Sequence, residues 1–323
     1  MTTAMTTPVI TSGDIDAAHE RIRPHVYETP VLSSTRLGDR AGGIRLMLKC
    51  ELFQKTGSFK VRGALNAMMQ LSDAERARGV VAVSSGNHAQ ALAWAASTVG
   101  SEAVTVMPGH APLAKVAATK SYGGNVELVD GEMIRAFQRA EQIASEGRVM
   151  IHPFANPRVI AGQGTVGREI LAQAAELDAV IVPISGGGLI AGVATAIKAA
   201  RPNVRIIGVE PEGAAKMRKS LDAGSPQTIS VKTVADGLGG PTTSELNLDI
   251  VRRLVEDVVL VSDDEILAAM RDVLAYTKLV VEPAAAAGVA ALLAGRIRFD
   301  RGSNVVAILT GGNVDLGRLK TLL

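Results

Sequence analysis

Lys60 stands where a segment with helical periodicity begins, two residues after the small polar run Thr56-Gly57-Ser58. This order predicts a helix that reaches Leu71, with Ser58 as its capping residue. A lysine in the first turn faces the positive end of the helix dipole, which destabilises its ammonium form. The neutral amine that this favours is the form that attacks carbonyl groups. Position alone is also consistent with an ordinary surface lysine.

A second polar run, Ser84-Ser85-Gly86-Asn87-His88, directly follows an apolar segment and opens another predicted helix. Hydroxyls and backbone amides at such a junction form a pocket for an anion, and a carboxylate suits it. Capping of the helix by serine or asparagine explains the same residues. His88 on its own is most simply a hydrogen-bonded structural histidine. No metal-ligand spacing links the remaining histidines with one another or with Cys50; they are His19, His25, His110 and His152.

Three consecutive glycines, Gly186-Gly187-Gly188, lie between an apolar strand and a predicted helix. Successive glycines allow backbone amides to close on a phosphate group. The segment also satisfies a loose dinucleotide pattern, with Glu210 at the end of the next strand where a ribose-binding acid would stand. A nicotinamide-dependent oxidoreductase is therefore the alternative from another chemical class. Contiguous glycines are not the dinucleotide pattern, and that alternative has no use for Lys60.

Another apolar strand ends in a hydroxyl and two glycines, at Thr310-Gly311-Gly312. An ordinary exit from strand to turn explains this composition. A functional interpretation is that Thr310 offers a neutral hydrogen-bond partner to the nitrogen of a heterocycle.

The elements that must position these residues alternate along the chain. Short β-branched runs and segments of helical periodicity follow one another, which is the pattern of an α/β protein with doubly wound parallel sheets. We expect two open twisted sheets in interwoven domains, because no Pro/Ser-rich linker separates two halves. The predicted strands are residues 79–83, 103–107, 126–129, 149–151, 179–184, 205–210 and 305–310, and the predicted helices include 87–99, 132–145 and 190–200.

The composition fits a chain with large apolar cores that needs no disulfides. Of its 323 residues, 47% are apolar and 20% are charged, and Cys50 is the single cysteine. One cysteine excludes a disulfide within the chain and favours a reducing compartment, so we expect the cytoplasm. The formal charge is +2, and aromatic residues make up 3% of the chain. Nucleic acid is therefore not an expected partner.

Two segments bear on targeting and membranes. Residues 1–12 are Thr-rich without a basic or apolar stretch, so we expect a frayed tail rather than a signal peptide. Residues 179–197 carry no charge and reach the length of a membrane span. Pro183 and the glycines that follow it favour a buried strand, a tight loop and a helix, so no membrane span is predicted.

The four segments around Lys60, Ser84, Gly186 and Thr310, in this order, resemble the fold-type II pyridoxal-phosphate enzymes, specifically the serine/threonine dehydratase and serine racemase group. The resemblance covers nearly the whole chain and includes three further motifs, Ala161-Gly162-Gln163-Gly164-Thr165, Ala235-Asp236-Gly237 and Val281-Glu282-Pro283-Ala284. It implies a fold like the tryptophan synthase β-subunit and a homodimer. A large cofactor-binding domain would comprise residues 1–55 and 156–323, with residues 56–155 inserted as a small α/β domain.

The resemblance also implies roles for single residues. Lys60 would hold pyridoxal 5'-phosphate as a Schiff base, and Phe59 would pack beside the cofactor. Asn87 would donate to its phenolic oxygen, and Thr310 would meet its pyridine nitrogen. A hydroxyl does not enforce a protonated ring, so the ring is a weaker electron sink, which suits an elimination. The phosphate would be bound by the backbone amides of Gly186, Gly187, Gly188 and Leu189.

The activity implied is the dehydration of a β-hydroxy amino acid, L-threonine or L-serine, to a 2-oxo acid and ammonia. Lys60, once released by the substrate amine, would remove the α-proton. The substrate carboxylate would bind to Ser84, Ser85, Gly86 and His88.

Ser85 keeps a second activity open. Serine racemases of the group have a serine here that acts from the face opposite the lysine, whereas many catabolic threonine dehydratases have alanine. Racemisation of serine, with elimination as a side activity, is therefore an alternative. Arg135 falls near a position from which an arginine could meet a side-chain carboxylate, although a solvated helix arginine is the simpler interpretation. Dehydratases for 3-hydroxyaspartate or 3-phenylserine also remain alternatives.

Glu210 matches the first carboxylate of a divalent-metal site found in racemase-like members of the group. The second acidic position, six residues later, is Lys216 in this sequence. An ammonium there would repel a cation and could pair with Glu210 instead, so we expect no metal.

Overall fold

Two β-sheets form the framework of the protein, and a computed structural model describes residues 10–131 and 133–323. Its strands are β1 (Val31–Ser33), β2 (Arg45–Cys50), β3 (Val80–Val83), β4 (Ala103–Pro108), β5 (Asn125–Val129), β6 (Val149–Met150), β7 (Ala179–Pro183), β8 (Arg205–Pro211), β9 (Asp257–Val261) and β10 (Asn304–Leu309). Its α-helices are α1 (Ser12–Ile22), α2 (Thr35–Arg40), α3 (Lys60–Met68), α4 (Asp73–Arg78), α5 (Asn87–Thr98), α6 (Leu113–Ser121), α7 (Met133–Ser145), α8 (Pro157–Gln173), α9 (Gly188–Ala200), α10 (Lys216–Ala223), α11 (Glu245–Leu254), α12 (Asp263–Thr277), α13 (Pro283–Leu293) and α14 (Leu316–Leu322).

The larger sheet has six strands in the order β1-β2-β10-β7-β8-β9. All neighbours in it are parallel except β1, which pairs antiparallel with β2 at the edge. The sheet is therefore mixed, where the sequence pattern predicted parallel strands only. The smaller sheet, β5-β4-β3-β6, is parallel throughout. The predicted α/β class with two sheets is confirmed.

All four strands of the smaller sheet lie within residues 56–155, the segment predicted to form an inserted domain. The boundaries at 55/56 and 155/156 stay a prediction. Helix α3 lies at this boundary, since its apolar residues pack with β3 and α5 as well as with Val159 of α8.

The predicted strands agree with the structure to within one or two residues. The agreement is simplest to explain for the central strands, whose two faces are covered and whose sequences are apolar throughout. Every residue of β3 and of β7 is buried. Residues 179–197 form strand β7, the glycine loop and most of α9, as predicted. Among the described residues, no helix is both long and apolar enough to cross a membrane.

Three local predictions need correction. Ser58 does not cap α3, because it is extended and forms a bridge with Gly311, while Phe59 occupies the cap position. Helix α3 ends at Met68 and not at Leu71. The predicted tail is too long, since Ile10 is buried and Thr11 caps α1 by accepting from the amide of Asp14. Residues 1–9 of that tail and Glu132, the predicted start of α7, lie outside the described residues.

Glycines bring α3, α8 and α9 into backbone contact. A Cβ atom added to Gly63 of α3 would lie 2.6 Å from the carbonyl oxygen of Val159 in α8. One added to Gly162 of α8 would lie 2.5 Å from the carbonyl oxygen of Arg62. One added to Gly192 of α9 would lie 2.5 Å from the carbonyl oxygen of Ile160. Only glycine permits such close approach at these positions.

A buried ion network lies beneath α3. Arg62 donates from Nε and NH2 to the two oxygens of Glu51, each at 2.8 Å, and from NH1 to Glu169 of α8 at 2.6 Å. Lys49 of β2 donates to the other oxygen of Glu169 at 2.5 Å. All four side chains are buried. The network therefore connects the helix that begins with Lys60 to β2 and α8.

Candidate active site

A cavity opens at the carboxyl ends of β3, β7 and β10, where ligands bind in open α/β sheets. It brings together every site residue predicted from the sequence, although these residues come from segments far apart in the chain. They are Phe59, Lys60, Ser84, Ser85, Gly86, Asn87, His88, Gly186, Gly187, Gly188, Leu189 and Thr310.

Lys60 is the first residue of α3, and its side chain is half-buried in the cavity wall. Its Nζ donates to the carbonyl oxygen of Pro153 at 3.3 Å and lies 5.1 Å from the ring centre of Phe59. Burial lowers the pKa of Lys60 to about 8, against the opposing charge of Glu282. This direction agrees with the expectation from the sequence, but burial rather than the helix dipole is its cause. An appreciable fraction of the amine is thus neutral near neutral pH.

The serine loop, residues 84–88, leads from β3 into α5. Gly86 is the cap residue of α5, and no side chain caps this helix, so the capping interpretation is wrong here. Within the described part of the chain, the amides of Ser85, Asn87 and His88 find no acceptor. Free amides at the start of a 12-residue helix form an anion site.

The ring of His88 is buried, with Nε2 3.0 Å from the carbonyl oxygen of Ile151. Burial lowers the pKa of His88 to about 3, so the ring is neutral. These features match a structural histidine, and the ring carries no charge with which to bind an anion.

The glycine loop, residues 186–188, leads from β7 into α9. Gly187 has a φ of 92°, in the left-handed region that favours glycine. A Cβ at Gly186 would lie 2.2 Å from the ring of Phe154. The carbonyl oxygen of Gly186 accepts from Asn247 Nδ2 at 2.7 Å and from Thr243 Oγ1 at 3.0 Å, which fixes the peptide orientation.

Among the described residues, no acceptor faces the amides of Gly186 to Leu189. The loop is therefore a cradle of free amides at the amino end of a 13-residue helix, and a phosphate group fits it. The dinucleotide alternative is not supported, because Glu210 is fully buried outside the cavity lining and accepts from the amides of Met217 and Arg218.

Thr310 directly follows β10 and lines the cavity. Its carbonyl oxygen accepts from the amide of Phe59 at 3.2 Å. This hydrogen bond fastens the segment before Lys60 to the end of the large sheet.

Sequence reasoning missed several residues that line the cavity. Glu282 appeared only as part of a motif, and Asn313 was not singled out. In the structure Asn87 Nδ2 donates to Glu282 Oε1 at 2.8 Å, and Asn313 Nδ2 donates to Asn87 Oδ1 at 2.9 Å. A carboxylate between Val281 and a Pro-Ala run was the available signal. Other missed lining residues are Lys115, Phe137, Phe154 and Asp236.

Two remaining predictions concern charges outside the cavity. Lys216 and Glu210 form the expected pair, with Nζ 3.5 Å from Oε1 and both side chains fully buried. The absence of a metal stays a prediction. Arg135 is exposed on α7 and is not part of the cavity lining. Its interpretation as a solvated helix residue agrees with this position.

The chain is similar to known proteins over most of its length. A family model described as "Pyridoxal-phosphate dependent enzyme" matches residues 22–311. The chain is 44% identical over 311 residues to a serine racemase of Oryza sativa subsp. indica, covering 94% of this chain and 91% of the relative. It is 42% identical over 312 residues to the catabolic L-threonine dehydratase of Escherichia coli K12, covering 96% and 94%.

A solved structure of maize serine racemase superposes with a TM-score of 0.93 at 42% identity, covering 97% of each chain. The free amides of the glycine loop, which suit a phosphate, and the half-buried amine of Lys60 agree with what the family model describes. On both the sequence and the structure, the chain belongs to the family of pyridoxal-phosphate-dependent enzymes.

Proposed function

We propose that this enzyme dehydrates a small β-hydroxy amino acid, L-threonine or L-serine, to a 2-oxo acid and ammonia. The observation that carries the proposal is the meeting of three groups in one cavity. They are the half-buried amine of Lys60, the free amides of the serine loop and the free amides of the glycine loop. Two separate anion sites with an amine in the same cavity suit an amino acid and a phosphorylated cofactor.

The residues present fit pyridoxal phosphate. In this proposal the amides of Gly186 to Leu189 hold its phosphate, and Lys60 is its point of attachment. Asn87 would donate to its phenolic oxygen, Thr310 would meet its ring nitrogen and Phe59 would pack beside it. When bound, this cofactor withdraws electrons from the α-carbon of the attached amino acid.

Substrate binding falls to the serine loop. The amides of Ser85, Asn87 and His88, with the hydroxyl of Ser84, hold the substrate carboxylate at the start of α5. His88 contributes through its backbone, because its ring is neutral and hydrogen-bonded elsewhere. Lys60 then accepts the α-proton at Nζ, which its lowered pKa permits near neutral pH.

We also propose a homodimer in the cytoplasm, and closure of residues 56–155 toward the larger body when substrate binds. Lys115 of α6 forms an ion pair with Asp236, and both residues line the cavity. This pair joins a helix beside the small sheet to a loop of the larger body, as a closed cleft requires.

Serine racemisation is the second candidate, and Ser85 is the observation that favours it. Its hydroxyl lies in the same cavity as Lys60, so a second group for proton transfer is at hand. For 3-hydroxyaspartate, Arg135 was the predicted partner of the side-chain carboxylate, but it does not line the cavity. Among the described residues, Lys115 is a cation that lines the cavity in addition to Lys60.

The decisive experiment measures 2-oxo acid release from a panel of amino acids, with chiral analysis of the amino acid that remains. The panel contains L-threonine, L-serine, D-serine, L-threo-3-hydroxyaspartate and L-threo-3-phenylserine. Fast release from L-threonine or L-serine without inversion supports the dehydratase. Substantial D-serine from L-serine that disappears in Ser85→Ala supports the racemase.

Lys60→Ala is the control for the catalytic assignment. It should lower turnover by roughly 10²- to 10⁴-fold, because general-base catalysis contributes about that factor. Normal turnover in Lys60→Ala would refute the role of this lysine.

A further inference from the structure

Glu282 is a buried carboxylate with no evident structural purpose. It is 5% exposed and occupies the cap position of α13, yet its side chain accepts no hydrogen bond from that helix. In the described part of the chain, its side chain has one hydrogen-bond partner, Asn87 Nδ2, at 2.8 and 3.1 Å. Burying a carboxylate with so few partners lowers stability. A contribution to folding therefore does not explain this residue.

The Asn87 amide lies in a chain of hydrogen bonds with one consistent direction. Asn313 Nδ2 donates to the carbonyl oxygen of Thr56 at 2.6 Å, and that oxygen can only accept. The same Nδ2 donates to Asn87 Oδ1 at 2.9 Å, which leaves Asn87 Nδ2 to donate to Glu282. An ionised carboxylate can only accept, so both ends of the chain require the same orientation of the Asn87 amide.

We propose that Glu282, with Asn313, is a positioning residue that fixes the Asn87 amide so that one N–H of Nδ2 remains directed at the phenolic oxygen of pyridoxal phosphate. The inference rests on the role proposed for Asn87. Glu282 and Asn313 act through Asn87 and need no contact with substrate. The long separation in sequence, 195 residues between Asn87 and Glu282, ties α5 to α13 at this point.

Space around the carboxylate supports a fixed position. A Cβ at Gly311 would lie 3.0 Å from Glu282 Oε1, and one at Gly237 would lie 3.4 Å from it. Glycines on two different segments thus leave just enough room for the carboxylate. The amide of Glu282 also donates to the carbonyl oxygen of Gly311 at 3.1 Å, which anchors its backbone.

Protonation of Glu282 would remove its end of this constraint, because a carboxyl group can also donate to Asn87 Oδ1, and the amide would then be held from the Asn313 side alone. Three charged groups face the carboxylate from other elements: Lys60 of α3, Lys115 of α6 and Asp236 of the loop before α11. Burial raises the pKa of Glu282 to about 7, with Asp236 acting in the same direction and both lysines against it. The cofactor environment should therefore change near neutral pH.

The test uses the full-length holoenzyme and four variants, Glu282→Ala, Glu282→Gln, Asn313→Ala and the matched control Glu141→Gln. Glu141 is exposed on α7 and is not part of the cavity lining. Two quantities are measured without substrate. They are the dissociation constant of pyridoxal phosphate by equilibrium dialysis and the pH dependence of its absorption band between about pH 6 and 8.

Glu282→Ala should weaken cofactor binding by roughly 10- to 100-fold, since it leaves a charge-assisted hydrogen bond unmade, and Asn313→Ala by about 3- to 10-fold. Glu282→Gln should bind within about 3-fold of the wild type, because its amide oxygen still accepts from Asn87. It should nevertheless lose the pH step, which is the change in the absorption band of the cofactor that protonation of Glu282 causes near neutral pH. A purely structural role would not move that step selectively.

Wild-type affinity in both Glu282→Ala and Asn313→Ala would overturn the inference, as would an unchanged pH step in Glu282→Gln. If Glu282→Ala fails to fold, the other two variants decide. No substrate enters these measurements, so the result stands whether or not the enzyme proves to be a dehydratase.

Discussion

The ammonium of Lys216 lies 3.5 Å from a carboxylate oxygen of Glu210, and neither side chain reaches solvent. Glu210 also accepts from the amides of Met217 and Arg218 at 3.0 and 2.9 Å. Lys216 donates to the carbonyl oxygens of Leu238 and Ala214 at 2.7 and 3.1 Å. Both charges are therefore satisfied within the protein, and the carboxylate has little left to offer a cation.

Lys216→Met should destabilise the protein by about 3–5 kcal/mol, because removing one partner of a buried pair leaves an uncompensated charge. The free energy of unfolding in urea measures this loss. Lys219→Met is the matched control, since Lys219 is exposed on the same helix, and its effect should stay within about 0.5 kcal/mol. Equal effects of the two substitutions would contradict the buried pair.

Arg62→Met should also cost about 3–5 kcal/mol, since it leaves the buried carboxylates of Glu51 and Glu169 without their shared cation. The free energy of unfolding in urea measures this loss. If thermal unfolding is reversible, the shift in Tm measures it as well. Arg23→Met removes an exposed ion pair with Glu20 and should cost less than about 1 kcal/mol. A small effect of Arg62→Met would show that the network does not hold α3.

A comparison of Gly187→Ala with Gly42→Ala separates the effect of backbone strain on stability from the effect of the glycine loop on cofactor binding. Both glycines have a φ near +92°, but a Cβ at Gly42 meets nothing within 4 Å, whereas one at Gly187 would lie 3.1 Å from Cβ of Asn247. Strain alone should cost each variant about 1 kcal/mol. Only Gly187→Ala should also weaken pyridoxal phosphate binding, by roughly 10-fold, because Asn247 holds the Gly186 peptide. Equilibrium dialysis that finds equal affinity in both variants would exclude the glycine loop as the phosphate site.

The pH dependence of stability should reveal Glu282. Burial raises its pKa to about 7 in the folded protein, against about 4.3 in an unfolded chain. Between these values the folded protein binds more protons than the unfolded chain, so the free energy of unfolding falls as pH rises. The loss amounts to roughly 3 kcal/mol between about pH 4 and pH 7.

Glu282→Gln removes that loss, so its stability relative to the wild type should increase through this pH window. Urea unfolding of the cofactor-free protein at about pH 5 and pH 8 checks the prediction. A variant that tracks the wild type at both values would mean that Glu282 ionises normally in the folded state.

Much of the framework could be predicted from sequence because parallel strands covered on both faces are apolar throughout. β3 and β7 are examples, and the loops after them carry recognisable glycines and serines. β2 was missed because it contains Lys49, whose burial depends on Glu169, 120 residues away. β1 was missed because it has three residues, none of them buried.

The residues of the site also fall into those that the local sequence indicates and those that depend on distant contacts. Lys60 and the glycine loop were found because their chemistry depends on neighbours in the sequence. The contacts of Asn87 with Glu282 and Asn313 span 195 and 226 residues. Periodicity and local motifs carry no information about such contacts. Ser58 was wrongly predicted for the same reason. Its local sequence suits a helix cap, but a contact with the distant Gly311 places it in a bridge instead.

The glycine contacts between α3, α8 and α9 have a consequence for movement. Lys60 begins α3 and the glycine loop begins α9, and both helices touch α8 backbone to backbone. Contacts of this kind cannot lengthen or slide without opening voids. If Lys60 and the glycine loop hold the two ends of the cofactor as proposed, both ends are attached to one rigid frame. The closure proposed for residues 56–155 must then leave α3 in place and move the part of that segment that carries the serine loop.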